Sequence, residues 1–417
     1  MTQTLVHCSL LLVVVLWSGI ASAEDKAPER SPVVMTPEGE RIHQSAILID
    51  GHNDMPWEIR KQGSRSFERL NIAEPQKTLQ TDIPRLRKGG MGAQFWSVWV
   101  PAATAYDGTA LVATLEQIDL VNAMIDRYPE TFELALTSDD IRRIHAEGKI
   151  ASLIGVEGGH CIENSLNVLR QLFRLGARYM TLTHADTIDW ADSGTDEPRH
   201  GGLTPFGEEV IAEMNRLGMM VDISHVSVDT MKDVLKITKA PVIFSHSSAR
   251  AIADSPRNVP DDVLKLVTEN DGVVMVNFFS GFVVPEASDR YLDRLKRERE
   301  LKATEKDAVK IQAELRKSDP RGSMPRGSIH DVIDHIDHIV KIAGIDHVGL
   351  GSDYDGISVL PTQLDDVSSY PLITQALLDR GYSVGDIKKV LGENLLRVMK
   401  KVEEAAEKPS TTDKEPE

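Results

Sequence analysis

Basic charge, cysteine and long apolar runs are all scarce in this chain of 417 residues, and each shortage removes a class of function. Lys and Arg number 47 against 64 Asp and Glu, a formal charge of −17 that is a poor match to a polyphosphate and argues against nucleic-acid binding. Two cysteines, Cys8 and Cys161, cannot make a disulfide framework. Beyond the N-terminus no stretch has 18 uninterrupted apolar residues, so no membrane-spanning helix is expected. The polar segment 406–417 reads as a tail and not as a hydrophobic anchor signal.

The one early apolar run, Leu10 to Trp17, is too short to span a bilayer and leads to Ala21-Ser22-Ala23, a small-x-small cleavage site. Residues 1–23 therefore read as an export signal, although their first part has no Lys or Arg. Cys8 precedes the apolar core and follows His7, which makes it a poor lipidation site. Cleavage after Ala23 leaves Cys161 alone, without a disulfide partner. The mature chain is expected to be exported, periplasmic or secreted, and soluble, with no stable membrane anchor.

From there on, short apolar runs rich in β-branched residues alternate with helical patterns. The runs are 47–50, 93–100, 151–156, 179–183, 219–223, 242–244, 273–277 and 347–351. Near-continuous hydrophobicity is what strands buried on both faces need, so the sheet is predicted to be parallel. Helices are expected at Asn164 to Leu175 and at Pro205 to Leu217, the second with Thr204 as N-cap and Pro at its first position. Eight strands alternating with helices predict an α/β fold, a (β/α)₈ TIM-type barrel over 24–405; an open doubly wound sheet is the alternative. The segment Glu286 to Arg326 holds 12 basic and nine acidic residues before a Gly/Pro-rich exit at Gly327. It predicts an exposed, charged helical insertion (286–327) between strands seven and eight, with a solvated face.

Six groups of ionisable residues fall at the ends of the strand runs, where barrel enzymes carry their sites. The first is Asp50-Gly-His52-Asn-Asp54, in which His52 and Asp54 lie two apart and point the same way in an extended chain. Glu157 lies between Val156 and Gly158-Gly159, and flanking glycine lets a carboxylate approach other backbone closely. His184, His225 and His246 follow three successive runs, and Asp353 follows the eighth. Imidazole and carboxylate without thiolate suit Zn²⁺ or another first-row divalent ion. Asp355, before Gly356, reads as a turn former. His330, His335 and His338 alternate with Ile and read as a polar helix face. His160 and Cys161 follow the Glu157 turn, and Cys161 has no identifiable activating base.

These motifs together resemble the membrane (renal) dipeptidase family, the binuclear zinc dipeptidases of the amidohydrolase-like barrels. The matching stretches are 50–54, 155–160, 178–184, 222–227, 241–248, Arg257-Asn-Val-Pro-Asp-Asp262 and 349–356. The resemblance implies two zinc ions per chain, with His52 and Asp54 on one, His225 and His246 on the other, and Glu157 bridging both. It further implies that His184 stabilises the scissile carbonyl oxygen, that Arg257 receives the substrate carboxylate, and that Asp353 is the acid/base. Hydrolysis of small dipeptides by a bridging hydroxide follows, with tolerance of C-terminal D-residues and dehydrodipeptides, and a homodimer as the oligomer to test for. Phe282 stands where mammalian members carry a substrate-contacting tyrosine, and the loop after His184 is shorter than theirs, which opens the site mouth. The rival readings are another binuclear barrel hydrolase, acting on N-acyl-amino acids, lactones or phosphoesters, and a noncatalytic exported metal-binding protein.

Overall fold

The eight apolar runs pair in parallel and close on themselves. In the computed structural model, which describes residues 30–305, 308–318 and 324–407, they form β1 (Leu48–Asn53), β2 (Met91–Trp99), β3 (Ile150–Glu157), β4 (Ala177–Thr181), β5 (Met220–Asp222), β6 (Ile243–Phe244), β7 (Val273–Val276) and β8 (Val348–Leu350). Each strand pairs with the next, and β8 returns to β1 with Leu350 opposite Asp50. That last pairing decides for the barrel over an open sheet. A short extra strand, Phe132–Leu134, pairs with the start of β3, ahead of the point where β4 joins it at Ile154. The expected export signal and residues 408–417 of the expected tail lie outside the described residues.

The strands are buried on both faces, as their composition requires. One alternating set, including Ile49, Phe95, Leu153, Tyr179, Ile243 and Met275, clusters with Leu395 and Met399 of the C-terminal helix Asn394–Ala405. The other set, including Leu48, Trp96, Ile154, Met180, Phe244 and Val276, packs with the surrounding helices. Truncating the fully buried Phe95 to Ala would cost about 3–5 kcal/mol, because the close-packed interior cannot refill the space. The described residues from Val33 on form one compact unit.

Two helices show how local sequence sets the frame. Pro205–Leu217 forms as read, with the Thr204 hydroxyl accepting from Gly207 N at 3.3 Å and Gly218 ending it at φ 77°. The other is shorter than expected, Leu166–Arg174 capped by Ser165, because Glu163 and Asn164 take left-handed φ values of 48° and 55° that no helix continues.

One expectation holds with a refinement and another needs correction. The charged segment does form helices, Pro285–Thr304 and Ala308–Ser318, followed by Ile329–Ala343. It is not solvated all round: Ala287, Ser288, Ile311 and Leu315 are buried. Ile311 and Leu315 are four apart, so they share one helix face and sink it. Likewise His335 is no part of a polar face. It falls three residues after Val332 and four before Ile339, on the buried stripe, where its Nδ1 accepts from Ala249 N at 2.9 Å and its Nε2 donates to Val283 O at 3.1 Å. Burial pushes its pKa down to about 4, so it stays a neutral cross-link. His338 pairs with Asp261 at 2.7 Å.

Candidate metal and active site

All eight singled-out side chains gather at the C-terminal rim of the barrel. His52 lies inside β1; Asp54 caps the helix Met55–Gly63 without making a side-chain capping bond, which leaves its carboxylate free. Glu157 is the last residue of β3. His184, His225, His246 and Asp353 follow β4, β5, β6 and β8 within three residues. His225 and Asp353 adopt positive φ, 69° and 67°, so each turns back over the barrel mouth at some backbone cost.

Glu157 is the centre. Its Oε2 lies 3.5 Å from His52 Nε2, and its Oε1 lies 3.0 Å from His225 Nε2, 3.5 Å from His246 Nε2 and 3.9 Å from His184 Nε2. Ser97 Oγ donates to Oε2 at 3.2 Å. His52 Nε2 is also 3.3 Å from Asp54 Oδ2. Three overlapping trios have ligand atoms within 4.8 Å of one another: His52, Glu157 and His246; Glu157, His184 and His225; His52, Asp54 and Asp353. Glu157 and His52 each belong to two, so the donors form one continuous cluster with room for more than one ion. Burial opposes the charge on Glu157, yet His52, His184 and the bond from His225 hold its carboxyl well below the usual range.

The hydrogen bonds behind the histidines say which nitrogens are free. Tyr179 Oη donates to Gly51 O at 3.1 Å, so it accepts from His52 Nδ1, 2.9 Å away. Ser245 Oγ donates to Asp222 and therefore accepts from His246 Nδ1 at 2.8 Å. In its neutral form each ring is thereby left with a bare Nε2 facing Glu157. His52 Nε2 has no hydrogen-bond partner, and His225 Nε2 stands 2.8 Å from His246 Nε2. His225 Nε2 can donate to that His246 nitrogen, and with the Glu157 carboxylate beside them the two imidazoles are also a donor set of the kind that binds a divalent cation.

Glu157, His225 and His246 line a cavity of about 390 Å³ that continues past them to Arg257, Phe282 and Tyr291. Arg257 lines it, with Nη2 donating to His246 O at 3.2 Å, Nη1 to Ser247 Oγ at 3.4 Å, and a buried Nε without a partner. Burial lowers its pKa, and its Cζ sits 5.1 Å over the Phe282 ring. Asp353 receives Asn277 Nδ2 on Oδ2 at 2.8 Å; burial and the nearby Asp54 push its carboxyl well above the usual range. Trp57 and Trp99, packed edge to face at 4.6 Å, stand on the cavity wall near His184. Asp355 is a turn former as expected, at φ 66°, and it also lines the cavity while exchanging hydrogen bonds with Gln80. Cys161 is a buried free thiol whose pKa burial pushes up to about 12, which makes it inert.

Sequence reading passed over the residues that hold these groups. Asp222 collects Thr181 Oγ1, Ser245 Oγ, and the backbone N–H of Ser224 and Ser245, tying β4, β5 and β6 together at the rim. Asp50 does the same for β1 and β8 by accepting from Ser352 N, Ser352 Oγ and Tyr370 Oη, each at 2.7 Å. The available signal was an acid inside or ending an apolar strand, where an unpaired carboxylate is not tolerated.

A family model for membrane dipeptidase, peptidase family M19, matches residues 37–413. The chain belongs to the membrane dipeptidase family. That membership, with the cluster around Glu157, makes it a metallo-dipeptidase by class. Among solved structures it is similar to the probable dipeptidase PvdM from Pseudomonas aeruginosa, at 25% identity over 88% of this chain and 98% of that one, with a TM-score of 0.77. The metallo peptidase from Rhodobacter sphaeroides, solved with a phosphinate mimic of the dipeptide L-Ala-D-Ala, shares the fold at 23% identity, 86% and 99% coverage and a TM-score of 0.70. An amidohydrolase from Pseudomonas aeruginosa does so at 24% identity, 87% and 98% coverage and a TM-score of 0.67. Among the described residues no helix is long and apolar enough to cross a membrane.

Proposed function

We propose that this dipeptidase is an exported zinc enzyme that holds two ions on either side of Glu157 and hydrolyses dipeptides with broad side-chain tolerance. The observation that carries the reading is the split of Glu157, one oxygen toward His52 and the other toward His225 and His246. His52 and Asp54 would hold one ion, His225 and His246 the other. Such a pair of divalent cations supplies Lewis acidity and lowers the pKa of water toward about 7, which makes a nucleophile available at neutral pH.

The protein's own groups do the rest. Arg257 receives the substrate carboxylate through its open guanidinium edge, fixing the peptide bond over Glu157. His184, only partly buried and in reach of the cavity, donates from its ring to the carbonyl oxygen as charge develops there. Asp353 takes the proton of the attacking water and returns it to the leaving amine; Asn277 holds one of its oxygens so that the other faces the site. Trp57 and Trp99 exclude bulk water from one flank. A cavity of about 390 Å³ suits a dipeptide better than a long chain. The ligand of the Rhodobacter sphaeroides protein supports including D-residues at the C-terminal position. The apolar run before Ala23 supports export.

The test is turnover by the zinc-loaded mature chain on L-L, L-D and dehydro dipeptides, beside an N-acyl-amino acid and a lactone. Dipeptide hydrolysis that chelator abolishes and Zn²⁺ restores is the expected result. Turnover of only the acyl-amino acid or the lactone would move the chain to another hydrolase branch. Two bound ions with no turnover of anything would make it a metal-binding protein.

A further inference from the structure

We infer that the inserted helix Pro285–Thr304 is the outer wall of the active-site cavity, and that the ring of Tyr291 on it sets the size of the substrate's C-terminal side chain. This rests on the dipeptide reading above. Tyr291 lines the same cavity as Glu157, Arg257 and Asp353, although it comes from a segment otherwise dominated by charge.

The ring is gripped. Phe279 meets it edge to face at 5.8 Å and 83°, Phe282 at 5.2 Å and 81°, and these two phenylalanines pack on each other at 4.9 Å. Aromatic rings interlocked in this way move little, and so present a surface of fixed shape. Phe282 also carries the Arg257 guanidinium at 5.1 Å. Arg257 and Tyr291 thus flank one ring, and a carboxylate seated on Arg257 puts the side chain of that same substrate residue within reach of Tyr291.

The helix is fastened on its other side too. Arg299 donates to Thr195 O at 3.0 Å and pairs with Glu197 at 3.1 Å, while Lys302 lies 3.8 Å from Asp186. Thr195 itself lines the cavity. Exposed pairs like these are individually weak. Together with the buried Ala287 and Ser288 they hold the helix between the loop after His184 and the loop after β7. Among the described residues the Tyr291 hydroxyl has no hydrogen-bond partner, and burial keeps the phenol neutral, with its pKa pushed up to about 12. The wall is therefore the ring's volume, not a charge. Volume at an apolar wall discriminates by about 10–200-fold per methylene-sized change.

The experiment compares kcat/KM for dipeptides of one N-terminal residue and C-terminal Gly, Ala, Leu or Phe, on zinc-loaded full-length enzyme with Tyr291, Tyr291→Phe, Tyr291→Ala and Tyr291→Trp. Tyr291→Phe should keep the large-to-small preference within about twofold, Tyr291→Ala should raise it at least about tenfold, and Tyr291→Trp should lower it. Metal content and melting temperature check that each chain is intact, and the Trp variant carries the test if the Ala variant fails to fold. Equal preferences in all four chains, with dipeptides still turned over, would overturn the proposal. A native chain silent on every dipeptide would instead bring down the dipeptide reading and this proposal with it.

Discussion

On one side of the cavity, His52, Glu157, His225 and His246 come from the ends of four barrel strands, and a buried partner behind His52, Glu157 and His246 fixes each of those in place. On the other side, Arg257, Phe279, Phe282 and Tyr291 come from loops, a short helix and the inserted helix; the three rings are held by packing on each other, and Arg257 lies over Phe282 while bonding to His246 O and Ser247 Oγ. The first side tolerates no slack, because ligand geometry must be kept within fractions of an ångström. The second needs only a surface of the right shape, and can be rebuilt on whatever segment reaches it. Chemistry is thereby tied to the barrel, and specificity to the insertion.

That contrast can be broken at graded cost. Asp353→Asn should lower kcat by about 10²–10⁴ while metal content stays unchanged, as for an acid/base that binds no ion. Equal loss of metal would make Asp353 a ligand in the trio it shares with His52 and Asp54. Arg257→Ala should cost about 30–10³-fold in kcat/KM on free dipeptides and far less on C-terminal amides, the price of leaving a carboxylate unmatched. A similar loss on amides would give Arg257 another task. Tyr179→Phe and Ser245→Ala should weaken metal binding by about 10–100-fold, measured by competition with a chromophoric chelator, because each releases a histidine from its useful tautomer. Unchanged affinity would show that the ligands orient themselves. Cys161→Ala should leave turnover within about twofold, since a thiol whose pKa is pushed up to about 12 does no chemistry at neutral pH.

The cation side was legible in the sequence because strand ends are legible. An acid or histidine that closes an apolar run must lie at the barrel rim, and successive strands must bring those rims together. What Tyr179 does was not legible. It looks like any aromatic in a buried strand, and only closure of the barrel carries its hydroxyl to His52, 127 residues away in sequence. Asp222 was hidden for the same reason: three of its four donors come from Thr181 at the end of β4 and Ser245 just after β6, which only barrel closure brings beside it. His335 was misread because alternation with Ile suggested a polar stripe, whereas helical spacing put it on the apolar one. Tyr291 was hidden by composition, since one aromatic among many charges carries no periodic signal of a buried face.

The central claim is that one buried carboxylate is shared by two cations. Metal content after zinc loading, in the native chain and in Glu157→Gln, tests it most directly. The account predicts about two ions per chain in the native protein, and loss of both affinities together in the variant, because the bridge carries charge to each site. A Glu157→Gln chain that still holds two ions with native affinity would contradict it.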